Sequence, residues 1–128
     1  MSSIDRDIIG SMADAFYTLD DKEKAIALLQ KLACNVNDKI IDGYEKARAM
    51  AFALYLLSKY LGQEQRYDES LVACNEGIEI SEANQAYGLL PDLNFNKAYI
   101  LYHMGQHDEA HEFLYRAYFG AVMQETKI

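Results

Sequence analysis

The chain has 128 residues, a length typical of one domain, and 20 acidic against 12 basic residues give it a formal net charge of −8 at pH 7. Because such a surface repels phosphate groups, direct binding of nucleic acid by this chain is not expected. One proline, 7 glycines and an apolar content made mainly of Ala, Leu, Met and Tyr favour helices over strands.

The spacing of apolar residues and the helix-capping residues predict six helices, three of them in the first half of the chain. The first covers residues 4–18. The second is capped by Asp20 or Asp21 and runs to about residue 35. The third opens with a capping box made by Asp42 and Glu45 and runs to about residue 62.

Three further helices are predicted in the second half. The fourth runs from Tyr67 to about residue 86. The fifth is opened by Pro91, a favoured first-turn residue, and stopped by Gly105, and the sixth covers residues 107–124. The helices pair into three hairpins of a single all-α domain, residues 1–128: about 4–35, 42–86 and 90–124.

The hairpins are related by an internal repeat. Small residues recur at positions where the two helices of a hairpin approach closely, with Leu32 as the exception. This pattern predicts that the small residues of the third hairpin are buried. The aligned positions are Ala98, Ala110 and Ala117 in the third hairpin, Ser58, Ser70 and Gly77 in the second, and Ala13, Ala25 and Leu32 in the first.

The segment NKAYILYHMGQHDEAHEFLYRA, residues 96–117, resembles a tetratricopeptide repeat. The segment YLLSKYLGQEQRYDESLVACNEG, residues 55–77, is a looser copy, and MADAFYTLDDKEKAIALLQKL, residues 12–32, is the loosest. No Trp occurs, and aligned positions lie further apart than in the usual repeat of this family. The resemblance implies a right-handed α-α superhelix of three hairpins that binds a peptide or protein partner.

A narrower resemblance covers nearly the whole chain. The longer repeats and the segment CNEGIEISEANQAYGLLPDLNFNKAYILYHMGQ are similar to the C-terminal tetratricopeptide domains of bacterial helix-turn-helix transcription regulators of the XRE type, some of which respond to short signalling peptides. This resemblance implies a sensor or oligomerisation fragment of a larger regulator. The alternative function is a structural interaction scaffold without a small ligand.

The sequence favours a cytoplasmic protein with no membrane segment. No apolar run reaches the length of a membrane span, and the N-terminal MSSIDRDIIG has acidic residues where a signal peptide needs basic ones. Cys34 and Cys74 lie in apolar helical contexts, which predicts two reduced, buried thiols.

A binding groove is the main candidate site. In a tetratricopeptide solenoid the first helices of the hairpins line a concave surface. Aromatic side chains there would supply rigid contact area, and Asn side chains could hydrogen-bond an extended peptide. Phe95 and Tyr55 could alternatively belong to the core, and Asn94 could also reach the groove. The predicted groove residues are Tyr55, Lys59, Phe95, Asn96, Tyr99 and Tyr102.

Catalytic and metal sites have little support in the sequence. His107 and His111 lie four positions apart and could share a metal ion. In the alternative, His107 fills the aromatic position of a hairpin turn and His111 lies in solvent. No glycine-rich phosphate loop or catalytic motif occurs, so we expect no enzyme activity and no cofactor or metal.

The last helix carries two apolar stripes. The first is expected to pack inward: Leu114, Ala117, Tyr118 and Ala121. The second has no remaining helix to cover it, and we expect it to contact a second copy in a twofold dimer. In the alternative, these residues reach back over the fifth helix. The predicted self-association residues are Tyr115, Phe119 and Val122.

Overall fold

The computed structural model describes residues 17–18, 21–33 and 43–125, and no strand occurs within these ranges. This part of the chain contains five α-helices, and a short 3₁₀ turn at Tyr87–Leu89 precedes the fourth. The predicted all-helical, tetratricopeptide-like architecture is confirmed. The helices are α1 (Lys22–Ala33), α2 (Tyr44–Gln63), α3 (Tyr67–Ala83), α4 (Leu90–His103) and α5 (His107–Glu125).

Each helix packs mainly against its neighbours in sequence, and the closest pairs are α2 with α3 and α4 with α5. These pairs are the second and third hairpins of the repeat. The predicted first helix lies outside the described residues except for residues 17–18, which are helical. There Tyr17 stacks on Tyr60 of α2 with ring centroids 4.0 Å apart, so the chain before α1 contacts the second hairpin.

Two predicted helix ends differ from the structure. The N-cap of α2 is Gly43, and no side chain caps this end. Asp42, the expected cap, lies outside the described residues, while Glu45 forms an ion pair with Arg48 at 3.4 Å. Helix α3 ends at Ala83 instead of residue 86 because Gln85 adopts a positive φ of 57°, which no α-helix continues through.

The same kind of turn closes α2, α3 and α4. In each turn a residue with positive φ follows the helix: Gln65, Gln85 and Gly105. The amide after that residue bonds back to a carbonyl in the last turn of the helix, as Gln106 N does to Leu101 O at 2.9 Å. This double hydrogen-bonded ending satisfies the last carbonyls of each helix and sends the next helix back along it.

The core consists of two adjoining clusters. The larger joins α1, α2 and α3 around fully buried Ile26, Leu29, Leu54 and Tyr60. The smaller joins α3 and α4 around Cys74, Leu93 and Ile100. The repeat alignment is visible in this packing, because the equivalent residues Ala25, Ser70 and Ala110 are all buried. Ala98 and Ala117 are buried as predicted.

No helix in the described ranges is both long enough and apolar enough to cross a membrane.

Candidate functional site

The contact between the second and third hairpins is held by a polar network along α2, α3 and α4. Asn96 of α4 donates its side-chain amide to Tyr55 O at 3.3 Å and to Ser58 Oγ at 3.1 Å. The Ser58 hydroxyl donates to Tyr55 O at 2.8 Å, and the Ser70 hydroxyl of α3 donates to Ser58 O. Because buried polar groups need partners, this network fixes the position of α4 against α2.

Cys74 belongs to the same contact. Its thiol is fully buried and donates to Leu93 O at 3.0 Å. Burial raises the pKa of this thiol to about 12, because the thiolate would lose its hydration. The thiol therefore stays protonated at neutral pH and acts as a small packing residue, as the sequence predicted for this cysteine. Cys34, for which the same was predicted, lies outside the described residues.

Three aromatic side chains form an exposed row along α4. Phe95, Tyr99 and Tyr102 are 55%, 42% and 57% exposed, and their spacing of four and three positions places them on one face. We call this set the aromatic row. Because these three exposed side chains are contiguous, the row is a candidate interaction surface.

The aromatic row separates two open cavities. One, of about 180 Å³, lies toward α2 and is lined by Ser58, Lys59, Gln63, Phe95, Asn96, Tyr99 and Ile100. The other, of about 290 Å³, lies toward α5 and is lined by Phe95, Ala98, Tyr99, Tyr102, Ala110, His111 and Leu114. Phe95 and Tyr99 line both cavities and form the wall between them.

The structure brings four predicted groove residues to the first cavity: Lys59, Phe95, Asn96 and Tyr99. Tyr102 joins the row at the second cavity. Tyr55 is half-buried and packs against both core clusters, so its side chain belongs to the core. Asn94 lines a different groove, on the side of α4 away from the aromatic row.

A second aromatic group, which the sequence analysis missed, lies beside the row at the hairpin turn. His103 stacks on Tyr67 with centroids 5.5 Å apart, and it contacts Tyr99 at 4.4 Å. Tyr102 contacts His107 edge-on at 4.8 Å. These contacts restrict the tyrosine side chains of the row. The signal was available in the sequence, since His103 follows Tyr102 and lies one helical turn after Tyr99.

The histidines do not come together with other ligands in the described part of the chain. There, no three His, Cys, Asp or Glu side chains are grouped so that they could hold a metal ion. His107 and His111 are both exposed. The ring contact of His107 with Tyr102 agrees with the interpretation of His107 as the aromatic residue of the turn.

Helix α5 leaves most of its apolar residues in solvent. Tyr115 and Phe119 are 62% and 60% exposed, and Val122 is 37% exposed. The rings of Tyr115 and Phe119 lie 6.4 Å apart and line a groove of about 590 Å³ that also contacts Ile78, Pro91 and Arg116. The predicted self-association residues are therefore accessible, and nothing in the described residues covers them.

The expected inward stripe of α5 is wrong for three of its four members. Ala117 is buried, but Leu114 is 46% exposed, Tyr118 is 64% exposed, and Ala121 is exposed. The reason is that no described element covers the side of α5 on which Leu114, Tyr118 and Ala121 lie. Helix α5 meets α4 through a face that includes Ala117 and Gly120, where an added Cβ at Gly120 would lie 3.1 Å from Pro91 Cγ.

A protein-family model matches part of the third hairpin. Residues 91–118, from the first turn of α4 into α5, match the model of the tetratricopeptide repeat. A tetratricopeptide repeat is therefore found at residues 91–118. The match covers this hairpin alone, and neither a curated protein nor a solved structure matches the chain. The aromatic row and both cavities lie on, or border, the matched repeat, which supports a role in protein–protein interaction.

Proposed function

We propose that the chain is a single tetratricopeptide-like domain that binds a short extended peptide, or an extended segment of a partner protein, along the aromatic row. The observation that carries this function is the exposure of Phe95, Tyr99 and Tyr102 on one face of α4, with open cavities on both sides. No enzyme activity is proposed, because no glycine-rich phosphate loop or catalytic motif occurs in the sequence.

The two cavities suit an extended ligand. Alternate side chains of an extended peptide point to the same side about 7 Å apart, so two apolar side chains can enter neighbouring cavities across one aromatic wall. Lys59 and Gln63 lie at the edge of the smaller cavity and offer hydrogen-bond donors to peptide carbonyls. The Asn96 amide already bonds to α2, so we assign this residue to positioning α4 instead of to ligand contact.

A display library of random linear peptides tests the binding. We expect the library to enrich peptides with two apolar residues at alternate positions, and we expect Tyr99→Ala to weaken the selected peptide roughly tenfold or more, the lower range for an aromatic contact residue. Tyr44→Ala removes another exposed tyrosine, 53% against 42% for Tyr99, from the start of α2 and is the matched control. Failure to enrich any peptide, or equal binding by the Tyr99→Ala and parent proteins, would contradict the proposal.

We further propose that the domain is the cytoplasmic sensor or oligomerisation part of a bacterial transcription regulator. The support is the similarity of residues 74–106 to the tetratricopeptide domains of such regulators and the net charge of −8, which disfavours DNA contact by this domain itself. The coding sequence directly upstream decides this assignment. A helix-turn-helix segment in the same reading frame is expected, and an unrelated upstream gene with its own stop codon would contradict it.

Self-association is the second proposed activity, and exposed α5 favours it. Tyr115, Phe119 and Val122 present apolar surface on the outer side of α5. A dimer without any peptide ligand would correspond to the scaffold function. Sedimentation equilibrium at tens of micromolar measures this directly, and a monomer under these conditions would remove both the dimer and the scaffold function while leaving the peptide site untouched.

A further inference from the structure

One surface of the third hairpin is built from residues equivalent to those that α4 covers in the second hairpin. In the repeat alignment, Leu114 corresponds to Cys74 and Ala117 corresponds to Gly77. In the second hairpin this surface is closed: Cys74 clusters with Leu93 and Ile100, and Gly77 lies so near Leu93 that an added Cβ would be 2.9 Å from Leu93 Cδ2.

In the third hairpin the equivalent surface is open. We call it the end face, with Ala98 and Ala110 at its floor and Leu114, Tyr118 and Phe95 at its rim. Position 114 is the clearest case, because its equivalents Leu29 and Cys74 are both 0% exposed whereas Leu114 is 46% exposed. A surface that a helix covers in the preceding hairpin is thus presented to solvent with its apolar character kept.

We propose that the end face is covered by the end face of a second copy of this chain, with α5 packed antiparallel against α5 of the second copy. This inference rests on the proposed self-association but places the contact at the end face instead of at Tyr115, Phe119 and Val122, with a twofold axis that passes close to Leu114. An isologous interface of this kind requires one surface to be complementary to itself.

The end face meets that requirement. Ala110 and Tyr118 lie one helical turn on either side of Leu114, about 6 Å in each direction along the helix. A twofold axis at Leu114 therefore places the Tyr118 ring of one copy over Ala110 of the other. Ala110 is in the floor of the 290 Å³ cavity, which exceeds the roughly 150 Å³ that accommodates a benzene ring. The second copy would therefore occupy the cavity toward α5 that the proposed peptide enters, so dimerisation and peptide binding would compete for it.

The charge distribution permits this contact between two acidic copies. The cavity over Ala110 is lined by neutral side chains apart from His111, and the neighbouring surface around Leu114 and Tyr118 adds only Asp92 as a charged group. The net charge of −8 therefore lies mostly elsewhere on each copy and opposes association only at long range. Salt screens that repulsion, so the dimer should become tighter as ionic strength rises.

Sedimentation equilibrium of the parent and single variants tests the proposal. We expect a dimer whose dissociation constant increases at least roughly tenfold in Tyr118→Glu and in Leu114→Lys, because each places a charge in the partner's apolar surface. Both residues are exposed in the single chain, so folding is preserved. Val72→Glu is the matched control on α3, at a valine that is 59% exposed and lines none of these cavities.

The outcomes separate this geometry from the proposed self-association as such. A monomeric parent overturns both. A dimer that dissociates in Phe119→Glu but not in Tyr118→Glu overturns the end-face geometry and keeps a dimer through the outer side of α5. A parent dimer that resists all of these variants also overturns the end-face geometry.

Phe119→Glu and Tyr118→Glu could both dissociate the dimer, because the ring centroids of Phe119 and Tyr118 lie only 5.5 Å apart. Symmetric crosslinking then decides which surface forms the contact. A cysteine on a twofold axis meets its own copy, so Leu114→Cys in a Cys34→Ser background should form a covalent dimer under mild oxidation. Val72→Cys in the same background should not. Absence of the Leu114→Cys crosslink overturns the proposal.

Discussion

The contact between the second and third hairpins and the end face of the third are built from equivalent residues, yet one is closed and the other is open. Cys74 and Leu114 occupy the same position in their hairpins and differ from 0% to 46% exposure. The local sequence pattern is apolar in both cases. Burial in a stacked repeat is therefore decided by the next hairpin, because each hairpin contacts only its neighbours.

The largest expected effect is a difference in the free energy of unfolding between Leu93→Ala and Leu114→Ala. Leu93 is fully buried between Cys74 and Gly77, so Leu93→Ala should lower the free energy of unfolding by about 2–5 kcal/mol. Leu114→Ala removes the same atoms from the open end face and should cost less than about 1 kcal/mol if measured on the monomer. Urea unfolding of both variants at low protein concentration measures the difference, and equal losses would show that the two surfaces are not distinct.

A smaller effect is expected from adding one methyl group at the closed contact. Gly77→Ala should destabilise the fold by about 1–3 kcal/mol, because the new Cβ would lie 2.9 Å from Leu93 Cδ2 and 3.3 Å from Leu54 Cβ. Gly88→Ala is the control, since no atom lies within 4 Å of its added Cβ. Thermal unfolding of the pair measures this, and a Gly77→Ala protein as stable as Gly88→Ala would mean that α4 can shift away from α3.

The polar network should give an intermediate loss at the same contact. Asn96→Ala removes both hydrogen bonds from α4 to α2 and should cost about 1–2 kcal/mol. Gln63→Ala, at an exposed residue beside the same cavity, should change stability by less than about 0.5 kcal/mol. If Asn96→Ala were neutral in urea unfolding but weakened a selected peptide, Asn96 would be a ligand contact as the sequence first indicated.

The smallest expected effect is a stability change of opposite sign in two equivalent turns. Gln65 and Gly105 follow the first helices of the second and third hairpins, and both have positive φ, 63° and 83°. Glycine adopts this conformation without strain, so Gly105→Gln should cost about 1 kcal/mol and Gln65→Gly should gain up to a similar amount. Opposite signs in matched denaturation curves are the expected result. A loss in both variants would show that the Gln65 side chain has a role of its own.

Much of the architecture could be predicted because it depends on short-range pattern. The helix at residues 107–124 and the opening of α4 at Pro91 follow from apolar spacing and proline geometry. The burial of Ala98, Ala110 and Ala117 followed from the repeat, because small residues recur where paired helices meet closely. The end of α3 was missed because a glutamine, and not a glycine, takes the positive φ at position 85.

The candidate site could be predicted only in part. Apolar spacing on α4 was enough to identify Phe95, Tyr99 and Tyr102 as members of one face. It could not assign Tyr55, which has the same residue type but packs against both core clusters. Nor could it show that Asn96 donates across the hairpin contact to Ser58, since that hydrogen bond depends on how α4 lies against α2.

By itself the sequence determined that the chain is helical, that its helices form hairpins, and which small residues lie between them, because these properties depend on contacts within a helix or between neighbouring helices. Which apolar residues stay in solvent depends on how whole hairpins pack. Leu114 and Tyr118 belong to the same apolar stripe as buried Ala117, but only Ala117 lies against α4. Cys74 has the equivalent place in the second hairpin and is covered by Leu93 and Ile100 of α4, whereas no described element covers Leu114, and helical periodicity does not contain this difference.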